Sequence, residues 1–206
     1  MNGAVAENPA AEPAWEIAEL FPNQGDLSDE DYLVLTRHTN RLAEFTDGRI
    51  EVLKMPTLEH QDIVFFLVAL LKSLAAANKL GRAAIAPLRV KLRDGKFREP
   101  DVVFMLQRNS GRVGNEVWDG ADLVMEVVSQ DDPKRDWEIK RGDYADAGIP
   151  EYWIVDPKNQ LITVLKLEGN RYVTHAEAVG AGNLKSALLP QLTVDVAAVF
   201  AAGRGA

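Results

Sequence analysis

The sequence predicts an α/β protein, a mixed β-sheet flanked by two long helices. Three observations carry that prediction. Apolar residues recur at helical spacing between residues 58 and 79, where Ile63, Phe66, Leu67, Leu70, Leu71 and Leu74 form one stripe. A second helix, 133 to 147, is bracketed by an N-capping Asp132 with Pro133 in its first turn and by Gly148 and Pro150 at its end. Between and after these helices lie short apolar runs bounded by turn residues, which read as strands. With 206 residues and 47% hydrophobic side chains, the chain is long enough to bury a core as one domain over residues 28–206, preceded by an arm.

That arm, residues 1–27, is rich in Ala, Pro and Glu without a period and is expected to be a flexible acidic extension. Ser28 then caps a short helix from about Asp29 to His38. A hairpin follows, turned at Asp47-Gly48, because a two-residue type I′ turn needs positive φ at both positions. Its register pairs Phe45 with Ile50 and Glu44 with Glu51. Like charges facing across a ladder are unfavourable, so either both are solvated near Arg49 or one of them faces a cation. The helix at 58–79 comes next, with His60 in its first turn, a position as suited to local capping or hydration as to chemistry.

Strands are expected at about 83–92, 101–106, 122–128, 151–155, 161–167 and 171–177, the last two joined at Gly169-Asn170. Residues 107–120 read as a surface loop. Residues 188–202 read as a strand-like piece and a short helix that packs Leu192, Val196, Val199 and Phe200. No purely apolar run exceeds the nine residues from Ile63 to Leu71, and no basic, apolar leader opens the chain, so no membrane partner and a cytoplasmic location are expected. The absence of cysteine excludes disulfides and thiolate zinc sites. The three histidines have no metal-ligand spacing.

The formal charge of −8 speaks against a polyanionic partner until its distribution is considered. Eight acids and no Lys or Arg fall within residues 1–31, which leaves 23 acidic and 23 basic side chains in the remainder. Five basic residues against one acid lie in Arg89–Arg98, either as a solvated strand pair or as a phosphate-steering edge.

Chemistry concentrates downstream of that run. Asp101 and Glu126 each sit in an apolar strand, where a carboxylate is costly unless it is paired, protonated or bound to a metal. Lys140 stands between Trp137 and Tyr144 on the inward stripe of the 133–147 helix. It is either a snorkelling stem paired to Asp136 or an ammonium aimed at an anionic centre. No phosphate-binding glycine loop, nucleophile elbow or H-E-x-x-H motif competes with this set.

Pro100-Asp101 followed by Glu126 resembles the PD-(D/E)XK nuclease superfamily. The fuller strings EPDVVF, LVMEVVS and DWEIKRGDYADAGIPEYWIVDP are similar to its Uma-two branch of restriction endonucleases. The resemblance runs from the EDYL helix and the AEFTDGRIE hairpin to PQLTVDVAAVF. It implies a restriction-endonuclease-like fold and a Mg2+-dependent (or Mn2+-dependent) endonuclease hydrolysing DNA. Asp101, Glu126 and the Val127 carbonyl would hold the ion. Val128 occupies the position at which the superfamily carries its lysine, so the resemblance implies that Lys140 is a migrated substitute. Glu44 resembles the acid of the family's first hairpin, and His60 and Tyr144 are further site candidates. A homodimer is compatible with the family. The rival readings are an inactive nuclease-fold binding module and a hydrolase of another phosphate ester.

Overall fold

The computed structural model describes residues 23–37 and 41–205. Residues 1–22 of the expected acidic arm, and His38 at the expected end of the first helix, lie outside the described residues. The end of the arm is docked rather than free. The Gln24 side chain both donates to and accepts from the backbone of Ile50, and Gly25 N–H donates to Gly48 carbonyl at 2.7 Å.

Helix α1 (Asp29–Arg37) packs on the hairpin β1 (Ala43–Thr46) and β2 (Arg49–Val52). The hairpin register is the predicted one, and Asp47 and Gly48 take φ of 46° and 81°. Helix α2 (Leu58–Asn78) is capped by Thr57, whose hydroxyl accepts from His60 N–H, and is closed by Lys79 in the left-handed conformation. Gly81 then opens β3 (Gly81–Ile85), at φ 154°, where a Cβ would lie 2.0 Å from the Met105 carbonyl oxygen. Strand β3 does not continue to residue 92 as expected. Pro87 offers no N–H to a ladder, and beyond it β4 (Arg89–Arg93) joins another sheet.

The chain continues through β5 (Lys96–Arg98), β6 (Val102–Leu106) and a 3₁₀ turn. It then forms β7 (Val117–Asp119), β8 (Leu123–Val127), a π-helical turn (Arg135–Lys140) and α3 (Arg141–Asp146). Strands β9 (Glu151–Asp156), β10 (Leu161–Glu168), β11 (Arg171–Val179), β12 (Asn183–Lys185) and β13 (Thr193–Asp195) precede α4 (Val196–Gly203). The segment expected to be a loop at 107–120 thus contains β7, which pairs in parallel with β4 and buries Trp118.

Two sheets organise the molecule. Six strands run β11-β10-β9-β8-β6-β3, with β8 and β9 parallel and the other neighbours antiparallel, which gives the mixed sheet that was expected. Strand alternation explains its two faces. Val102, Phe104, Leu123, Met125 and Val127 point to α2 and α4, whereas Val103, Met105, Val124 and Val128 point to the side of Tyr144 and Tyr152. By length and composition α2 could also cross a membrane, but it packs on the sheet with Ile63, Leu67 and Leu71 fully buried. The second sheet runs β2-β1-β5-β4-β7. One of its faces packs Phe45 and Phe97 on Tyr32 of α1. Its other face carries Glu44, Lys96 and Arg98 inward, so the layer between this sheet and α3 is ionic rather than apolar.

Candidate active site

Strand register brings the two carboxylates together. Val102 pairs with Met125 in β6 and β8, so Asp101, one step before β6, stands opposite Glu126. Asp101 Oδ2 accepts the Val127 N–H at 2.8 Å and lies 3.1 Å from His60 Nε2 on the first turn of α2. Glu126 lies beneath it on the α3 face. Its Oε1 accepts the Tyr144 hydroxyl at 2.5 Å, and its Oε2 lies 3.0 Å from Lys140 Nζ.

The helix that carries Lys140 has the predicted extent, but its first part is a π-helical turn. Residues Asp136 and Lys140 are both buried there, with Asp136 Oδ1 3.2 Å from Nζ. Tyr152 donates its hydroxyl to the Asp136 carbonyl at 2.9 Å and thereby ties the turn to β9. A π-turn breaks the regular i→i+4 ladder and is a recurrent feature of functional sites. The pair with Asp136 exists, but the stem does not snorkel: the ammonium is buried and also reaches the acids held by the strands.

Glu44 is fully buried from the opposite wall and is 3.9 Å from Lys140 Nζ. It is bridged by Arg135, which also takes Glu51, and it lies 3.5 Å from Arg98 Nε. The cross-strand glutamate pair is therefore resolved by a cation from the π-turn, while Glu51 stays at the surface. Arg135, Arg98 and Asp136 are the site residues that sequence reading missed as such. The Asp136 and Lys140 spacing was visible in the sequence, but the reach of Arg135 across to the hairpin had no local signal.

Burial and charge compete at each group. Burial raises the Glu126 carboxyl well above its ordinary range, with Asp101 and Asp136 adding to the effect and Lys140 opposing it. Burial also acts to raise Asp101, but its hydrogen bond and charge contact with His60 prevail and hold it below its ordinary value. For Lys140 desolvation is outweighed by Glu126, Glu44, Asp136 and Asp101, and the ammonium is held firmly charged. Glu99, whose Oε2 accepts the Ala43 N–H at 3.0 Å, is pushed up to about 8 by burial and by its neighbour Glu44.

Asp101, Lys140, Asp136 and Glu99 line a cleft of about 1090 Å³ together with His60, Val127 and Val128, while Glu126 lies buried behind them. Its donor chemistry suits a hard divalent ion, which takes oxygen ligands. Asp101 Oδ1 has no hydrogen-bond partner among the described residues, and Val127 lies beside it in the cleft wall. Glu126 is already engaged at both oxygens, by the Tyr144 hydroxyl and by Lys140. For this reason, among the described residues no three acids or histidines are gathered around a ready ion position, because Lys140 Nζ supplies the counter-charge there.

The profile of the Uma2 family, described as "Putative restriction endonuclease", matches residues 29–197, most of the chain. The chain belongs to the Uma2 family. Among solved structures it is similar to a protein described as a "putative nuclease belonging to DUF820" from Anabaena variabilis. The two share 17% identity with a TM-score of 0.72, over 86% of this chain and 99% of the other. At that identity the likeness establishes a shared fold. No curated protein was similar enough to match.

In this Uma2 chain each cation of the basic run has an acidic neighbour, but the run divides in two. Arg89 lies 3.9 Å from Glu99, Lys91 pairs with Asp29 and Asp94, and Arg93 pairs with Asp47. Lys96 and Arg98 both bind Asp143 on α3 and form a buried ionic seam. Lys91 and Arg93 keep surface pairs, as the solvated strand pair would have them. Arg141 is occupied elsewhere, donating to the Tyr172 carbonyl at 3.1 Å.

Proposed function

We propose that this protein is a metal-dependent endonuclease that hydrolyses DNA phosphodiester bonds at the Asp101, Glu126 and Lys140 cluster. The observation that carries the reading is the convergence of an ammonium and two carboxylates at one cleft: Asp101 and Lys140 line it, and Lys140 Nζ is 3.0 Å from the buried Glu126 Oε2 just behind them. Family membership supports a nuclease, and a module that only binds has no need to bury a lysine among four acids, at a desolvation cost of several kcal/mol per ion.

In this reading Asp101, Glu126 and the Val127 carbonyl hold a Mg2+ or Mn2+ ion, with His60 fixing Asp101 and Tyr144 fixing Glu126. The ion, when bound, polarises a phosphoryl oxygen and makes a coordinated water more acidic. Lys140 stabilises the negative charge that develops on the phosphoryl oxygens, and Asp136 holds its ammonium in place.

The test is cleavage of plasmid and single-stranded DNA by the purified protein with and without Mg2+ or Mn2+. Asp101→Asn and Lys140→Met are expected to lower turnover by at least a factor of about 10² to 10³, the loss typical of one charge-stabilising group. Equal cleavage by the parent and Asp101→Asn would exclude this site as the source of activity.

A further inference from the structure

The wall of the cleft facing the carboxylates is apolar and open. Met55 is 75% and Phe65 58% exposed, and both line the same cleft as Asp101. Phe65 lies five residues beyond His60 on α2, and His60 touches Asp101, so the exposed ring and the carboxylate share one cleft within about two helical turns.

The charge of the cleft disfavours a duplex. Seven carboxylates and three cations line it, and each of the three cations, Lys54, Arg135 and Lys140, already has an acidic partner. A double helix is held by Lys and Arg that replace its counterions, and no residue of the basic run Arg89–Arg98 lines this cleft. An unpaired strand brings fewer phosphates and offers a base face, which gains about 1–3 kcal/mol by stacking on an exposed aromatic ring, a contribution that bases stacked within a duplex do not make.

We propose that the cleft takes an unpaired DNA strand, with a base seated against Phe65 and Met55 while a nearby phosphate of the same strand reaches Asp101. This rests on the nuclease reading for the reaction but not for the binding. Single-stranded ends, flaps and bubbles are then the substrates, and a continuous duplex binds poorly.

Fluorescence anisotropy separates the two layers. A labelled oligothymidine and a blunt duplex of equal length are titrated with the full chain in Ca2+, alongside cleavage of both in Mg2+ and Mn2+. The single strand is expected to bind at least about tenfold more tightly, Phe65→Ala to weaken it by about tenfold or more, and Phe65→Trp to retain it. Because Phe65 is more than half exposed, an unchanged melting curve is expected for both variants. Equal or tighter duplex binding, or indifference to Phe65→Ala, overturns the inference even where DNA is cut. Phe65-dependent strand binding without cleavage in either metal sustains the inference and defeats the nuclease reading. Binding of neither DNA form defeats both.

Discussion

Lys140 illustrates how far one residue can be read from its pattern. A lysine on an apolar helical stripe, with Val128 standing where a charge was expected, directs attention to the acids of the preceding strands, and the ammonium is found among them. Lys140→Met should disturb the fold as well as the chemistry. The substitution strips three buried carboxylates of a partner, a change that costs about 3–5 kcal/mol when a buried pair is broken. Thermal denaturation should show Lys140→Met destabilised at neutral pH and partly restored by adding Glu126→Gln; no recovery in the double variant would mean that the two groups are not coupled. Glu99 supplies a pH signature. Its folded value of about 8 exceeds its ordinary 4.5, so between these limits the folded protein holds a proton that the unfolded chain has released. Stability from this group is present below about 4.5 and is lost as pH rises to about 8, with a slope of up to about 1.4 kcal/mol per pH unit. Glu99→Gln keeps the acceptor for Ala43 N–H and should flatten that part of the pH profile; parallel profiles for the two proteins would show that Glu99 is ionised throughout. Nothing in the sequence disclosed Glu99, because its neighbours Ala43 and Glu44 come from a hairpin more than fifty residues away.

At the scale of elements, regular local signals were legible and long-range ones were not. The Asp47-Gly48 turn, the Ser28 cap, the 58–79 stripe and the Pro133 to Gly148 bracket each depend on neighbours in sequence, and each element stands close to where they place it. The division of residues 83–92 between two sheets, and the pairing of β7 with β4, depend on partners that no short window contains. The π-turn is intermediate, since its extent was readable as helix while its altered spacing is stabilised from β9 by the Tyr152 hydroxyl. Tyr152→Phe removes one hydrogen bond, worth about 0.5–1.5 kcal/mol, so only a small drop in melting temperature is expected. Its effect on turnover should be larger, because Asp136 and Lys140 both sit on that turn; an activity loss no greater than the loss of folded protein would remove the turn from the mechanism.

Considered as a whole, the molecule uses charge as internal cement. Lys96 and Arg98 of the basic run secure the hairpin sheet to α3 through Asp143, and Arg135 closes the hairpin over the cluster through Glu44 and Glu51. A formal surplus of acids and a basic stretch were both visible in the sequence, but which cations remain for a ligand is a property of the folded arrangement. Lys91→Glu should therefore leave the salt dependence of DNA binding unchanged, and a flatter slope would return that strand to the phosphate contacts. We propose that the carboxylate cluster holds one divalent ion at Asp101, beside the counter-charge that Lys140 supplies to Glu126. Titration of Mn2+ followed by electron paramagnetic resonance reads this directly, without DNA. One bound ion per chain is expected for the parent, loss of that ion in Asp101→Asn, and its retention in Lys140→Met, where Glu126 is released to bind it. Equal Mn2+ binding by the parent and Asp101→Asn would contradict the account.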